Sequence, residues 1–213
     1  MTMNRREFAA AGAALLGAPL AAWAQKPPQD GTDYRTLERR VPVEAPEGKI
    51  EVIEFFWYSC PHCYRFEPKL VSWSKRQPPD VVLRRVPAAF RDDMVPQQRL
   101  FYTLEAMGVL DEMHPKVYES IHFSNEPTHS GPGFLAFAQK NGLDIPKFTE
   151  LYQSMGVSAK ARRAVQLQQA YRVEGVPAMG VAGRWLTDGD MAGSVDRALL
   201  VTDFLVGEAR KAK

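Results

Sequence analysis

The stretch EFFWYSCPHCYRFEP, residues 54–68, decides the fold and holds both cysteines of the chain. The β-branched and aromatic run from Lys49 to Tyr58 predicts a strand buried on both faces. After Cys60, apolar side chains recur at roughly helical spacing and predict a helix, which Pro68 is expected to kink or perturb. The run from Asp80 to Pro87 predicts a second strand. Together these elements form a βαβ unit with Cys60 at the entrance of its helix.

The remainder of the chain is organised around this unit. Residues 91–164 consist of short apolar segments interrupted by Gly and Pro, and they predict an all-helical insert. A helix from about Val157 to Val173 precedes two short strands, Ala178 to Val181 and Arg184 to Thr187, which a hairpin turn joins. A last helix runs from about Ser194 to Ala209. The predicted fold class is α/β with an inserted all-helical domain.

The N-terminus, residues 1–24, has the pattern of a cleavable export signal peptide. A basic pair, Arg5-Arg6, precedes an apolar stretch from Phe8 to about Leu20, and small residues lead up to Ala24. A membrane span needs about 20 apolar residues, and this run is shorter, so we expect cleavage after Ala24. The mature protein is expected to be exported, and not itself membrane-spanning. The arginine pair leaves twin-arginine and ordinary export open.

Composition and charge narrow the function classes. The chain has 213 residues, of which 45% are hydrophobic and 24% charged, as is typical of a globular protein. A formal net charge of +2 gives no argument for nucleic-acid binding. Residues 25–48 are rich in Pro, Asp and Gly and predict a leader to the domain, within which residues 33–40 could form a short edge strand.

The Cys60 and Cys63 pair admits three interpretations: a metal site, a structural disulfide and a redox dithiol. A zinc site needs about four ligands, and His62 inside the loop is poorly placed to bind the same ion, so no metal is expected. A structural disulfide here would close a very short loop and gain little, because chain-entropy stabilisation grows with loop length. The redox dithiol is therefore favoured. The remaining histidines lack ligand spacing and are predicted to be surface or capping residues: His114, His122 and His129.

A redox role also explains the position of the pair. A thiolate on Cys60 would face the unpaired N–H groups and the positive end of the helix dipole, so Cys60 is expected to be acidic and reactive. Pro61 suits the first helical turn because it has no N–H, and His62 can add a donor or a positive charge. Cys63, one turn further in, would be buried. An acidic thiol stabilises the dithiol, which makes the disulfide a stronger oxidant.

This stretch, the later GVPAM (residues 175–179) and the helical block between them resemble the DsbA-type thiol:disulfide oxidases of the bacterial periplasm. The resemblance covers roughly residues 44–210. It implies a thioredoxin fold, residues 44–90 and 165–213, interrupted by a helical domain, residues 91–164. It also implies that Cys60 is the exposed nucleophile and that Cys63 is the resolving cysteine.

The resemblance carries over to three further residues. Val176-Pro177 matches the family loop in which the proline is cis and the preceding backbone binds an extended substrate strand. Glu54 lies in a predicted buried strand, where acids are rarely unpaired. It either faces a solvated edge or, as the resemblance favours, serves as a proton relay for Cys63. Gly180 departs from the family pattern, and its small size could loosen the packing beneath the proline loop.

The expected function is that of a periplasmic oxidase, which we expect to be a monomer and to need no bound cofactor. Its substrates would be reduced secreted or periplasmic proteins, and the resemblance alone implies reoxidation by a DsbB-like membrane oxidase. Two alternatives remain open at this point. One is a disulfide isomerase or reductase, although the region before the first strand is too short for a separate dimerisation domain. The other is a non-catalytic peptide-binding chaperone.

Overall fold

A computed structural model describes residues 26–124 and 128–212, so the predicted export signal lies outside the described residues. A single five-stranded sheet has the strand order β1-β5-β4-β2-β3. Strands β2 and β3 are parallel, and the other neighbours are antiparallel. The strands are β1 (Arg35–Thr36), β2 (Ile50–Phe56), β3 (Val81–Pro87), β4 (Ala178–Val181) and β5 (Trp185–Asp188).

Eight α-helices accompany the sheet within the described residues, with a short 3-10 turn at Asp92–Met94 before the second. They are α1 (Pro61–Lys75), α2 (Val95–Ala106), α3 (Leu110–His122), α4 (Gly131–Lys140), α5 (Ile145–Gln153), α6 (Met155–Ala170), α7 (Gly189–Ala192) and α8 (Val195–Lys211). Helices α2 to α5 and the start of α6 make up the predicted insert. The α/β fold class with a helical insert is confirmed.

The sheet lies between two apolar cores. Strand β2 is buried along its whole length, and its residues alternate between the two faces. On one face Val52 packs in a core with Phe66 of α1 and Leu205 of α8. On the other face Phe55 belongs to a core that continues into the insert and includes Tyr118 of α3. The insert is therefore joined to the sheet by a shared hydrophobic core.

The sheet register positions the cysteines. Strand β4 runs antiparallel to β2 with Ala178 opposite Phe55, so the start of β4 lies beside the end of β2. The Val176-Pro177 loop precedes β4 and Cys60 follows β2. The two segments, which are far apart in the chain, therefore meet at one edge of the sheet.

Several local predictions are confirmed. The predicted hairpin between β4 and β5 turns at Ala182 and Gly183, which have φ angles of 51° and 65°. A Cβ at Gly183 would lie 2.0 Å from the Val41 carbonyl oxygen, so the close approach of that backbone requires glycine. The possible edge strand in the leader is β1. Helix α1 continues through Pro68 as one helix, where we had expected a kink or perturbation.

The expectation that Gly180 loosens the packing is wrong. A Cβ at this position would lie 2.5 Å from Cε1 of Tyr171, so the tyrosine ring occupies the space that a larger side chain would need. Tyr171 is fully buried, and its hydroxyl accepts a hydrogen bond from the Gly183 N–H at 3.0 Å. Gly180 thus permits close packing of the ring on β4. The sequence could not show this, because the ring comes from the C-cap residue that follows α6.

Candidate active site

Cys60 and Cys63 lie at the N-terminus of α1, as predicted. Cys60 is the N-cap residue, with extended backbone angles, and Pro61 occupies the first turn. Both cysteines are free thiols, and the Cys60 Sγ accepts a hydrogen bond from the Cys63 N–H at 3.4 Å. Cys63 is fully buried, while Cys60 retains 8% exposure. The predicted exposed nucleophile is thus mostly covered, although it is the more accessible of the two sulfurs.

The two thiols differ sharply in acidity. The Cys63 thiol, hydrogen-bonded to Cys60, lowers the pKa of Cys60 to about 6 against the opposing effect of burial. The backbone N–H groups of Cys63 and His62 and the charge of His62 contribute in the same direction. Burial raises the pKa of Cys63 well above its ordinary value. At neutral pH the pair therefore holds one thiolate, on Cys60, and one proton, on Cys63.

The loop preceding β4 closes over the cysteines. The Val176-Pro177 peptide bond is cis, which confirms that prediction. The Cys60 Sγ lies 3.5 Å from the Val176 carbonyl oxygen and can donate to it only while the thiol is protonated, so the loop is in direct contact with the reactive sulfur. Val176 is half-buried and Pro177 is buried.

Glu54 is buried in the middle of the sheet. Its side chain has no exposure, which excludes the solvated edge that we had left open. The register places it opposite Arg85 on β3, and Arg85 Nε lies 3.3 Å from Glu54 Oε2. Burial, reinforced by the nearby charge of Glu67, raises the pKa of Glu54 to about 8 in spite of Arg85. Glu54 therefore keeps its proton at neutral pH, and its charge would raise the pKa of Cys63.

Glu67 and Arg85 also belong to the site, although neither was predicted from the sequence. Arg85 Nη2 donates to Glu67 Oε1 at 2.7 Å, so one guanidinium contacts both Glu54 and Glu67. Burial opposes ionisation of Glu67, yet His114 and Arg85 together hold the pKa of Glu67 below its ordinary value. Helical spacing could have suggested Glu67, because it lies four residues after Cys63 on the same face of α1. The part played by Arg85 depends on strand register, which the spacing does not reveal.

The predicted surface or capping role is wrong for His114. Its side chain is 4% exposed, and Nδ1 lies 2.8 Å from the hydroxyl oxygen of Tyr58. His122, the last residue of α3, is half-buried. Its Nε2 lies 2.7 Å from the Tyr58 carbonyl oxygen. His129 is exposed as predicted, with Nδ1 3.2 Å from the Ser59 hydroxyl. All three histidines contact the segment that leads into the cysteines, so the insert covers that side of the site.

Comparison with known proteins identifies the family. The model of the DSBA-like thioredoxin domain matches residues 51–201. The chain belongs to this family. It is 36% identical over 198 residues to the thiol:disulfide interchange protein DsbA of Burkholderia cepacia, with 93% of each chain covered. It is 40% identical over 182 residues to the DsbA of Pseudomonas aeruginosa, with 85% of this chain and 86% of that protein covered.

Solved structures of DsbA proteins have the same fold. The crystal structure of Pseudomonas aeruginosa DsbA has a TM-score of 0.80 and 40% identity, covering 85% of this chain and 94% of that one. The crystal structure of the oxidoreductase DsbA from Xylella fastidiosa has a TM-score of 0.80 and 32% identity, covering 86% and 98%. The thioredoxin fold and the resemblance to DsbA inferred from the sequence are confirmed. This DSBA-like chain is a thiol:disulfide oxidoreductase.

The difference in acidity between the two thiols favours exchange chemistry over a structural disulfide in this DSBA-like site. Among residues 26–124 and 128–212, no three or more His, Cys, Asp or Glu side chains are grouped so that they could hold a metal ion. A structural disulfide gains nothing from one acidic and one non-acidic thiol, whereas exchange is faster when the leaving sulfur has the lower pKa. In the same described ranges, no helix is long and apolar enough to cross a membrane.

Proposed function

We propose that this protein is a periplasmic oxidase that transfers the Cys60–Cys63 disulfide to reduced exported proteins. The observation that carries the proposal is the split in acidity between the two thiols, with the pKa of Cys60 at about 6 and that of Cys63 well above its ordinary value. A pKa one unit below a working pH of 7 stabilises the reduced form by about 1.4 kcal/mol, or about 30 mV. The disulfide is correspondingly more oxidising.

The first step forms a mixed disulfide. A substrate thiolate attacks the Cys60 sulfur, the Cys60–Cys63 bond breaks, and its electron pair leaves on Cys63. A buried thiolate on Cys63 is unfavourable, and Glu54 is the proposed donor of the proton that neutralises it. Glu54 is suited to this role because it is protonated at neutral pH and close enough for its charge to raise the pKa of Cys63.

The second step releases the oxidised substrate. A second substrate thiolate attacks the substrate sulfur of the mixed disulfide, and Cys60 leaves as a thiolate. The low pKa of Cys60 makes it a good leaving group. The substrate gains a disulfide, and the enzyme keeps two reduced sulfurs, so the electrons balance. His62, exposed beside the sulfur, favours the Cys60 thiolate through its charge, and Pro61 leaves the first turn without an N–H to satisfy.

The substrate is proposed to bind as an extended strand beside Val176 and Pro177. Contact of the Val176 carbonyl with the Cys60 thiol places this backbone next to the reacting sulfur. Hydrogen bonds between the two backbones would allow many different substrates to bind, because they do not depend on the identity of the substrate side chains. The reduced enzyme would be reoxidised by a DsbB-like membrane oxidase. The predicted export signal, residues 1–24, would place the protein in the periplasm. We also expect it to act as a monomer. These last assignments rest on the family and on the sequence.

A single-turnover assay tests the oxidase. Oxidised protein is mixed with a reduced dithiol peptide, and the thiols of both are counted by alkylation. We expect one peptide disulfide for each enzyme dithiol formed, and no oxidation by Cys60→Ser, which cannot form the disulfide. A peptide-binding chaperone would retain its affinity in Cys60→Ser but oxidise nothing in either form. If Cys60→Ser oxidised the peptide, the assignment of Cys60 would be wrong.

Equilibration with a glutathione redox buffer separates an oxidase from a reductase. An oxidase should remain in the dithiol state until the buffer is strongly oxidising. Persistence of the Cys60–Cys63 disulfide in reducing buffer would instead indicate a reductase or a stable structural bond, and would overturn the proposed direction.

A further inference from the structure

We propose that His114 is a positioning residue for the exchange reaction: its Nε2–H holds Glu67 as a carboxylate, which in turn keeps the proton on Glu54. The inference rests on the proposed function, in which Glu54 gives its proton to Cys63. His114 belongs to α3, so the helical insert would take part in proton transfer as well as covering the cysteines.

The cluster contains two buried carboxyl groups and one guanidinium. Arg85 can neutralise only one of them, and two like charges in a shared buried site do not both ionise. Neither carboxyl oxygen of Glu54 has a hydrogen-bond partner among the described residues. Glu67 accepts from Arg85 at 2.7 Å and also faces His114, with 3.6 Å between Nε2 and Oε2. His114 adds to the shorter Arg85 contact, and both favour ionisation of Glu67 over that of Glu54.

Tyr58 and Glu67 together favour one tautomer of His114, the one with its proton on Nε2. Burial lowers the pKa of His114 and raises that of Tyr58, so both are neutral at pH 7. The Tyr58 hydroxyl lies 2.8 Å from Nδ1. If Nδ1 accepts this hydroxyl proton, Nε2 carries the ring proton and points it at Glu67. The other tautomer would place a lone pair of Nε2 against a carboxylate, which is unfavourable.

Other elements packed around His114 also carry charge or polar groups. Arg85 opposes a positive charge on the ring, whereas Glu67 and Asp111 favour one. Burial lowers the pKa of His114 by more than the two carboxylates raise it. The ring is therefore neutral at pH 7 and can act as a neutral N–H donor. Nε2 of His114 and Oε2 of Glu67 are buried and have no other hydrogen-bond partner among the described residues, so at 3.6 Å each is the nearest polar contact available to the other and the N–H acts on the carboxylate as an oriented dipole. Both residues line one cavity of about 1590 Å³. The titratable or charged groups that face His114 are Tyr58, Glu67, Arg85, Asp111 and Tyr118.

Two variants of His114 distinguish the contact of Nε2 with Glu67 from the contact of Nδ1 with Tyr58. In His114→Gln the side-chain amide reaches about as far as Nε2 and can supply an N–H to Glu67. In His114→Asn the shorter amide reaches about as far as Nδ1, so it can bond Tyr58 but not Glu67. The rate at which oxidised protein acquires its first substrate thiol is measured against pH, and the Glu54 and Glu67 carboxyl carbons are titrated by ¹³C NMR.

We expect the loss of rate caused by ionisation of Glu54 to move to lower pH by roughly one unit in His114→Asn. The Glu54 carboxyl should titrate lower and that of Glu67 higher by a similar amount, while His114→Gln should keep the wild-type profile and titrations. If His114→Asn matches the wild type, or if both variants shift equally, the ring acts through packing or through Tyr58, and the proposal is overturned.

A Glu54→Gln variant measured in parallel distinguishes failure of this inference from failure of the proton relay. If Glu54→Gln keeps the wild-type pH profile, Glu54 is not the proton donor, and the relay and this inference fall together. If Glu54→Gln abolishes the high-pH loss of rate but His114→Asn does not move it, the relay stands and the role of His114 alone is overturned.

Discussion

Glu54 should reduce the stability of the protein, and replacing it should increase stability by an amount that depends on pH. Burial raises its pKa from an ordinary 4.5 to about 8. The folded protein therefore keeps this proton over a pH range in which the unfolded chain has already lost it. Because the unfolded state then binds fewer protons, the free energy of unfolding falls as pH rises between these two values.

The size of this stability change follows from the pKa shift of Glu54. Each pH unit above 4.5 costs about 1.4 kcal/mol until the folded-state pKa near 8 is reached. Glu54→Gln removes the titrating group but keeps its shape. We therefore expect the variant to be more stable than the wild type by about 3 kcal/mol at pH 7 and by less than about 1 kcal/mol at pH 5, apart from a constant offset from the amide.

Urea unfolding of the reduced wild type and variant, between about pH 5 and pH 8, measures this difference. Glu51→Gln is a matched control from the same strand. Glu51 is also buried, but its carboxylate accepts from the Glu44 N–H at 3.0 Å and pairs with Arg84 Nε at 3.2 Å. Removing its charge should destabilise the protein by about 1.5–3 kcal/mol. A stability gain in Glu54→Gln that does not grow with pH would refute the reasoning.

Three further results are expected. The absorbance of the Cys60 thiolate should titrate with a midpoint near pH 6, and Cys63→Ala should move that midpoint upward because it removes the hydrogen-bonding thiol; an unchanged midpoint would exclude Cys63 as the main cause. Gly180→Ala should lower the free energy of unfolding by about 1–3 kcal/mol through overlap with the Tyr171 ring. Gly207→Ala is its control, because it lies in α8 with open space around its Cα and should stabilise by about 0.5–1 kcal/mol; equal effects at the two glycines would contradict the packing argument. Rapid alkylation of the reduced protein at neutral pH should modify Cys60 well before Cys63, because Cys60 is more exposed and has the lower pKa. Similar alkylation rates for the two cysteines would contradict this difference.

Much of the fold could be predicted because its signals are local. The buried run that became β2 and the proline at the start of α1 both depend on residues close together in the chain. The position of Cys60 at a helix N-terminus follows from that order. The pairing of Cys60 with the Val176-Pro177 loop came from the family resemblance, since the two segments are more than 100 residues apart.

Prediction failed where distant segments pack together. In the sequence His114 cannot be distinguished from a histidine on a surface helix, because its contact with Tyr58 forms only when α3 packs on the sheet. Gly180 suggests loose packing, because the sequence does not show that the Tyr171 ring fills the space beside it. Arg85 was missed because a basic residue in a strand shows no partner until the register puts Glu54 beside it. In each case a buried polar group or a small residue is explained by a neighbour from another element.

The sequence by itself therefore determined the reacting groups, since a cysteine pair at a helix N-terminus implies an acidic thiol through backbone groups that every helix presents. Only the tertiary structure decided the protonation of the groups behind them. Glu54 and Glu67 have the same side chain, yet one is neutral and the other ionised, because burial, Arg85 and His114 act on them unequally. Such differences depend on distances between elements, and these exist only after the insert has packed against the sheet.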